Sequence, residues 1–498
     1  MLSIVTTAVL SLIVVASFLY VGYKNRVKSK SAEEYFLMSH SLRRQGFASS
    51  YAAASTSVGT VIFFFVVLGL THGAYILFAP FTLIIGVILF NKILLPRIPN
   101  EFFHKNDRHF MGTLGEFVRA KYESRIISLS VMAISLLGLM AILLIELYVG
   151  VSIFHVFGSE NITSLSIVII CFVLFQYITW GGMNAVVKTD SVQIWVLIMP
   201  VIVILLFLAS DSSGYSALLS MENIFPNPVI SEGGFLLPWS MLLNVLVVNV
   251  FLTPSLLRTW QMTASANSRT DVGRGMLLGA IITVFLTMLY VALGIVFYKG
   301  IFTSDNPGLI NMFEILRDSD ENFLSNVLFP AFFVSCLAAM FSTLDSALLP
   351  IIHAIWVELK FKENERDGNA RELSLSIVPT ITFSILVFAI ILYVGVFKFM
   401  GFDIISWMFT IFSFSIIVAP TIVFAMLLEE GVLRSKIGNI AALVSLAVSF
   451  VVAVTLTLFG NRIGNISLIQ MNSPLAILAG TVPFAALWLV TKRKRLRV

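Results

Sequence analysis

Apolar runs of about 20 residues recur along the whole chain, and a run of that length is what an α-helix needs to cross the ~30 Å hydrocarbon layer of a bilayer. Thirteen such stretches can be read, at roughly 2–23, 45–70, 73–95, 122–157, 163–181, 191–210, 236–258, 275–299, 326–357, 373–397, 403–428, 437–459 and 474–491. Inside hydrocarbon a backbone N–H or C=O must find its partner within its own segment, so the expected fold is an all-α polytopic membrane protein. Composition agrees: 58% of the 498 residues are hydrophobic and only 12% are charged, where soluble domains run near half and a quarter. No polar stretch is long enough for a separate soluble domain, so 1–498 reads as one transmembrane domain. The first run lacks both a basic lead-in and a small-residue cleavage pattern, so it is expected to be retained as a span.

Basic residues fall on alternate connections. Of the 32 Lys and Arg, 28 lie in 24–44, 92–125, 182–190, 258–274, 358–372, 429–436 and the tail 492–498; the other set holds only Lys299, Arg317, Lys398 and Arg462. Positive charge is retained on the cytoplasmic side, which predicts a plasma (inner) membrane protein with its N-terminus outside and its C-terminus in the cytoplasm. The net charge of +5 therefore reports topology and points to no nucleic-acid partner. The tail Lys492–Arg497 reads as an anchor against anionic lipid. The outer loop 300–325 carries Asp305, Glu314, Asp318, Asp320 and Glu321 against Arg317. It reads as a solvated loop, with weak concentration of cations near an entrance as the sharper alternative.

Polar residues inside the apolar runs are the informative ones. In Ala331–Leu349, Ser335, Ala339, Ser342 and Ser346 share one stripe at 3.6 residues per turn, flanked by Thr343 and Asp345. Such a stripe must face protein or a water-filled path. Helix packing through small and hydroxyl residues explains the serines equally well, but an intramembrane acid points towards a cation site. The stretch FASSYAAASTSVGT, from Phe47 to Thr60, is a weak helix at membrane depth and invites local unwinding. Unwinding would free carbonyls for an ion; a smooth packing face is the plainer reading.

Glu146 is a second buried acid, open to pairing with a cationic group, proton exchange or an unidentified basic partner. Tyr148 should serve a different face. Asn244, Asn249, Thr253 and Pro254 interrupt another run, with a bend expected near Arg258. Thr60, Glu146, Tyr148 and Asn249 are the candidate solute or coupling contacts. In YITWGGMNAVVKTDSVQ, Gly181-Gly182 is expected to turn the chain and Thr189-Asp190 to open the next helix. Cys171 and Cys336 lie in apolar runs and read as small core residues. His72 and His353 have no second ligand at helical spacing, so no transition-metal site is read. No phosphate-cradling glycine loop, GxSxG elbow, HExxH or ATP-binding element is present, so the chain is not read as an enzyme and its energy source is an ion or solute gradient.

Three separated stretches resemble the sodium/solute symporter family. Trp180-Gly-Gly-Met-Asn-Ala-Val-Val-Lys-Thr-Asp190-Ser-Val-Gln193 is similar to that family's GGxxAVxxTDxxQ signature. Ala338-Ala-Met-Phe-Ser342-Thr343-Leu-Asp-Ser346 is similar to its second signature, and Ser31-Ala-Glu-Glu-Tyr35-Phe36 to its short S-x-x-E-Y-F segment. The resemblance implies a five-plus-five inverted-repeat core of the LeuT-like kind, with 2–23 leading, 45–210 and 236–428 as the two repeats, and 437–491 trailing. It implies alternating access driven by Na+. Carried over by position, the main sodium site would use carbonyls of Ala54, Ser57 and Ala339 with hydroxyls of Ser342 and Thr343. A second cation site would involve Asp190, Ser342, Asp345 and Ser346. Asp345 departs from the two-sodium members, which carry serine there; its carboxylate would strengthen that site, bind a proton or meet a positive substrate. The expected function is sodium-coupled import of a small polar organic solute, with the solute, sodium and the lipid bilayer as partners and no obligatory protein partner evident. Proton coupling through Glu146 or Asp345 and a solute sensor with little flux are the competing readings.

Overall fold

The computed structural model describes residues 2–26, 31–103, 112–157, 160–210, 239–300, 309–318, 323–367, 375–397 and 404–495. Residues 211–235, the stretches 301–308 and 319–322 of the acidic loop, with Asp305, Asp320 and Glu321, and the end of the basic tail lie outside the described residues. Among those described, no strand forms, and ten helices are long and apolar enough to cross a membrane, or twelve if each of two bent pairs is one span. Where they are described, the thirteen expected stretches fall mainly on helix, but the count differs because 163–181 and 191–210 run together in one helix, Glu160–Ser210. Its apolar part, Leu165–Phe207, has 43 residues, about twice the length one crossing needs.

The helices that build the site are α1 (Arg44–Ser55), α2 (Phe64–His72), α3 (Arg125–Ser152), α4 (Glu160–Ser210), α5 (Trp239–Ser255), α6 (Leu257–Ser265), α7 (Arg269–Gly300) and α8 (Phe329–Asp367). α8 is the hub. It packs against α1, α3, α4 and the leading helix Leu2–Lys24, and 89% of its apolar window is buried, against 11% for the leading helix. The hydroxyl and acid stripe of Ala331–Leu349 therefore faces protein, as its cost in lipid requires.

Two spans are broken. α1 and the segment Val58–Leu70 meet at 64°, and α5 and α6 at 47°. The first break lies at Thr56 (φ −103°, ψ 73°) and Ser57 (φ −75°, ψ 146°), within the run of small and hydroxyl residues. The second lies at Leu256 (φ −77°, ψ 124°), two residues after Pro254, which has no N–H to continue the helix. The indole of Trp260 donates to the Pro254 carbonyl at 2.8 Å and holds that corner. Each broken span is the first of one expected repeat. Past the first break, α2 crosses α7 at very short range: a Cβ on Gly69 would stand 2.3 Å from the Val291 carbonyl oxygen, and one on Gly294 would stand 2.2 Å from that of Val66.

α4 is interrupted at Gly182 (φ 52°, ψ −145°), a backbone conformation that glycine alone adopts freely. A Cβ there would also lie 2.4 Å from the Tyr35 carbonyl oxygen. Gly182→Ala is expected to lower stability by at least about 1–3 kcal/mol from backbone strain alone, read as a lower midpoint of thermal unfolding. An unchanged midpoint would show that α4 can straighten without cost.

One end of the bundle is tied shut. The helix Ala32–Leu37, capped by Ser31, buries Tyr35 and Phe36. The Tyr35 hydroxyl donates to the Ile178 carbonyl at 2.6 Å, and Gln261 Nε2 donates to that of Phe36 at 3.0 Å. Leu42 pairs in a single bridge with Ala266. Ion pairs Arg119–Glu358 (3.0 Å), Lys121–Glu430 (2.9 Å) and Arg434–Glu123 (2.6 Å) join the helix ends there.

Candidate functional site

Glu146 explains why the first break persists. It lies on α3, wholly buried, and its carboxylate accepts from Ser57 Oγ at 2.6 Å, Val58 N at 2.7 Å and Gly59 N at 3.3 Å. In a continuous helix the N–H groups of Val58, Gly59 and Thr60 would bond the carbonyls of Ala54, Ser55 and Thr56. Two of these donors go to Glu146, and the third, Thr60 N, goes to Ser57 Oγ at 2.9 Å. Those three carbonyls thus lose their helical donors at membrane depth, where such groups need a polar partner. The Ser57 carbonyl differs: it accepts from Val61 and Ile62 N at 3.2 and 2.9 Å. Tyr148, two residues on from Glu146, faces elsewhere, with its ring 6.4 Å from that of Tyr393.

The second acidic group joins α4 and α8. Asp190 is not a helix cap, as its place after Gly181-Gly182 had suggested. α4 resumes at once after Gly182, so Asp190 sits within a running helix and its side chain is free to reach across. It accepts from Ser50 of α1 and from Ser342 Oγ of α8, the latter at 2.6 Å, and so links three helices. Neighbouring Thr189 bonds back to its own helix. Asp345 accepts from the Tyr177 hydroxyl and from Ser346 Oγ at 3.2 Å. Both acids are fully buried. Ser50 and Tyr177 were not singled out from the sequence, although Ser50 precedes Ala54 by four residues and hence shares its helix face.

Above this layer opens a cavity with room for the centres of water-sized molecules over about 150 Å³. Ala54, Ser57, Thr60, Asn249, Thr343 and Ser346 all border it, so the two broken spans and α8 bring half of the expected site residues to one space. The Thr343 hydroxyl is buried without a hydrogen-bond partner. Asn249 contributes less freely, since its Nδ2 donates to Thr82 Oγ1 at 2.6 Å. Ala339 and Ser342 are buried in α8 and do not border the cavity; neither do Glu146 and Tyr148. Freed carbonyls, an unpartnered hydroxyl and nearby carboxylates are the oxygen set a hard cation prefers.

The fold is shared with solved membrane transporters. A Na+-coupled sialic acid symporter, in a substrate-bound outward-open state, is similar at a TM-score of 0.72 and 15% identity, over 96% of this chain and 97% of its own. A manganese transporter from Eremococcus coleocola matches at 0.57 and 15% identity, over 94% and 98% of the two chains. A nucleobase-cation-symport-1 family transporter in a closed conformation matches at 0.54 and 12%, over 91% and 94%. No curated protein matches the chain. The class that the fold and the broken spans define is a polytopic all-α membrane protein with a LeuT-like core. The chain belongs to the sodium:solute symporter family, whose model matches residues 35–433, and this makes it a sodium-coupled solute transporter.

Proposed function

We propose that the protein imports a small polar organic solute by alternating access, with inward sodium movement as the driving force. The observation that carries this is the Glu146-held break in α1. It leaves the Ala54, Ser55 and Thr56 carbonyls without helical donors and sets the break beside the unpartnered Thr343 hydroxyl at the floor of the cavity. A sodium ion between the break and α8 would supply the missing partner. The repeats are taken as 45–210 and 236–428, each opening with its broken span.

In the topology expected from the basic residues, the lining residues Thr60, Val61, Phe64, Phe65, Pro80, Leu83, Phe409 and Phe412 occupy outer halves of their spans, while Tyr51, Ala54, Thr253 and Arg258 lie in inner halves. The tied end, with its ion pairs and the Tyr35–Phe36 plug, is the cytoplasmic one. We read this arrangement, with its inner end tied, as an outward-facing state. Sodium that binds this state better than the inward-facing one biases the equilibrium by its difference in affinity, and solute binding beside it permits closure. Import in proteoliposomes should disappear when potassium replaces sodium, and Ser342→Ala combined with Thr343→Ala should remove the sodium dependence. Uptake that proceeds equally in potassium sinks this reading.

The nearness of Asp345 to Asp190 favours one alternative, in which a proton takes the place of a cation at that pair. It predicts accumulation driven by a pH gradient without sodium and lost in Asp345→Asn.

A further inference from the structure

We propose that Arg258 is the receptor for a carboxylate in the cavity, and that the transported solute is therefore a small organic anion or zwitterion bearing that group. The inference rests on the transport reading above and narrows its substrate.

Arg258 is the second residue of α6, placed at the cavity by the corner after Pro254. Among the residues that line the cavity it alone carries a full charge; the others are apolar, aromatic, hydroxyl or amide side chains. Its side chain is nine-tenths buried. Nη2 donates to Ser55 Oγ at 3.2 Å, the guanidinium lies 5.8 Å from the centre of the Tyr51 ring, and Nε is buried without a partner. A guanidinium so held presents adjacent N–H groups in a plane, the geometry that grips a carboxylate through two parallel bonds. Phe64, Leu83, Phe409 and Phe412 supply an apolar wall for the rest of a small molecule.

The countercharge lies on the other side. Arg258, Asp345, Ser50 and Ser346 border a separate small cavity, and Asp190 is also within electrostatic reach of the guanidinium. Arg258 is thus the partition between the solute space and the acidic pair. A solute with only a cationic group meets a positive charge there, and a neutral alcohol leaves the Nε–H without a charged acceptor. A cation bound at Asp190 and Asp345 weakens their hold on Arg258 and strengthens its attraction for a carboxylate. Sodium and solute then help each other bind by the same factor. The rival role for Arg258 is as internal countercharge to the two acids alone, with no part in solute recognition.

The test is thermal stabilisation of the purified full-length protein, in sodium and in potassium, by solutes matched in shape: butyrate, butanol and butylammonium; benzoate, benzyl alcohol and benzylammonium; glycine betaine and choline. At least one carboxylate should stabilise in sodium while its matched alcohol or ammonium does not. Arg258→Gln should lower the affinity for that carboxylate by about 30- to 100-fold while sodium alone stabilises at least as much as in the wild type, since the acids lose the positive charge that competes with the cation; Arg258→Lys should bind the carboxylate with intermediate affinity. If Arg258→Gln fails to fold, the wild-type series and Arg258→Lys decide. The proposal is overturned if no carboxylate in the series stabilises, if matched alcohols or ammonium compounds stabilise as well, or if Arg258→Gln keeps the carboxylate affinity. A carboxylate effect present equally in sodium and potassium would leave the receptor standing and strike sodium coupling instead.

Discussion

Glu146→Gln should destabilise the protein by about 1–3 kcal/mol and abolish its stabilisation by sodium, because the substitution leaves a buried N–H donor at the break without its acceptor. The carboxylate accepts from three donors: the Ser57 hydroxyl and the N–H groups of Val58 and Gly59. A glutamine of the same size keeps one oxygen but turns an amide NH2 towards donors, so at least one N–H at the break loses its partner. The α1 segment can then regain helical bonds to Ala54 and Ser55, which withdraws the carbonyls offered to an ion. Thermal unfolding with a sodium titration reads both effects. Wild-type stability and an unchanged sodium response in Glu146→Gln would show that the break is held by other contacts and that Glu146 has another task.

Asp345→Asn should act in the opposite direction on stability. Asp190 and Asp345 are buried close enough to repel, and Arg258 offsets only one of the two charges. Removing one carboxylate relieves that repulsion, worth about 1–3 kcal/mol between nearby partly screened charges. In potassium the variant should therefore be more stable than the wild type. By the same balance the remaining charges no longer call for a cation, so the increment that sodium adds should shrink by a similar amount. Tyr177 can still donate to the asparagine oxygen, which preserves packing at the site. A variant less stable in potassium, with the sodium increment intact, would mean that Asp345 serves the Tyr177 contact and no cation.

Much of the fold was legible because it depends on local quantities. The length and hydropathy of each run determine that it becomes a helix at membrane depth, whatever its neighbours are. The weak small-residue stretch before Thr60 and the proline at 254 marked the two breaks for equally local reasons: poor helix propensity and a missing N–H. The stripe on Ala331–Leu349 followed from period and cost alone, and α8 is indeed the most enclosed of the long apolar helices.

The partners of the buried acids were not legible in the same way. Glu146 was read as a possible partner for a cation, yet it serves backbone donors 87 and 88 residues away in sequence. Asp190 was expected at the start of a helix and, by resemblance, at a second cation site; the helix in fact continues through it, and the side chain meets hydroxyls 140 and 152 residues away. Arg258 was placed near a bend, and only the bend's direction puts its guanidinium between the cavity and the acidic pair. By itself the sequence determined the helices, their interruptions and the family signatures. The tertiary structure decided which polar groups meet, since that depends on the rotation and register of each helix against its neighbours. Those are set jointly by the packing of many apolar side chains, and no single segment encodes them.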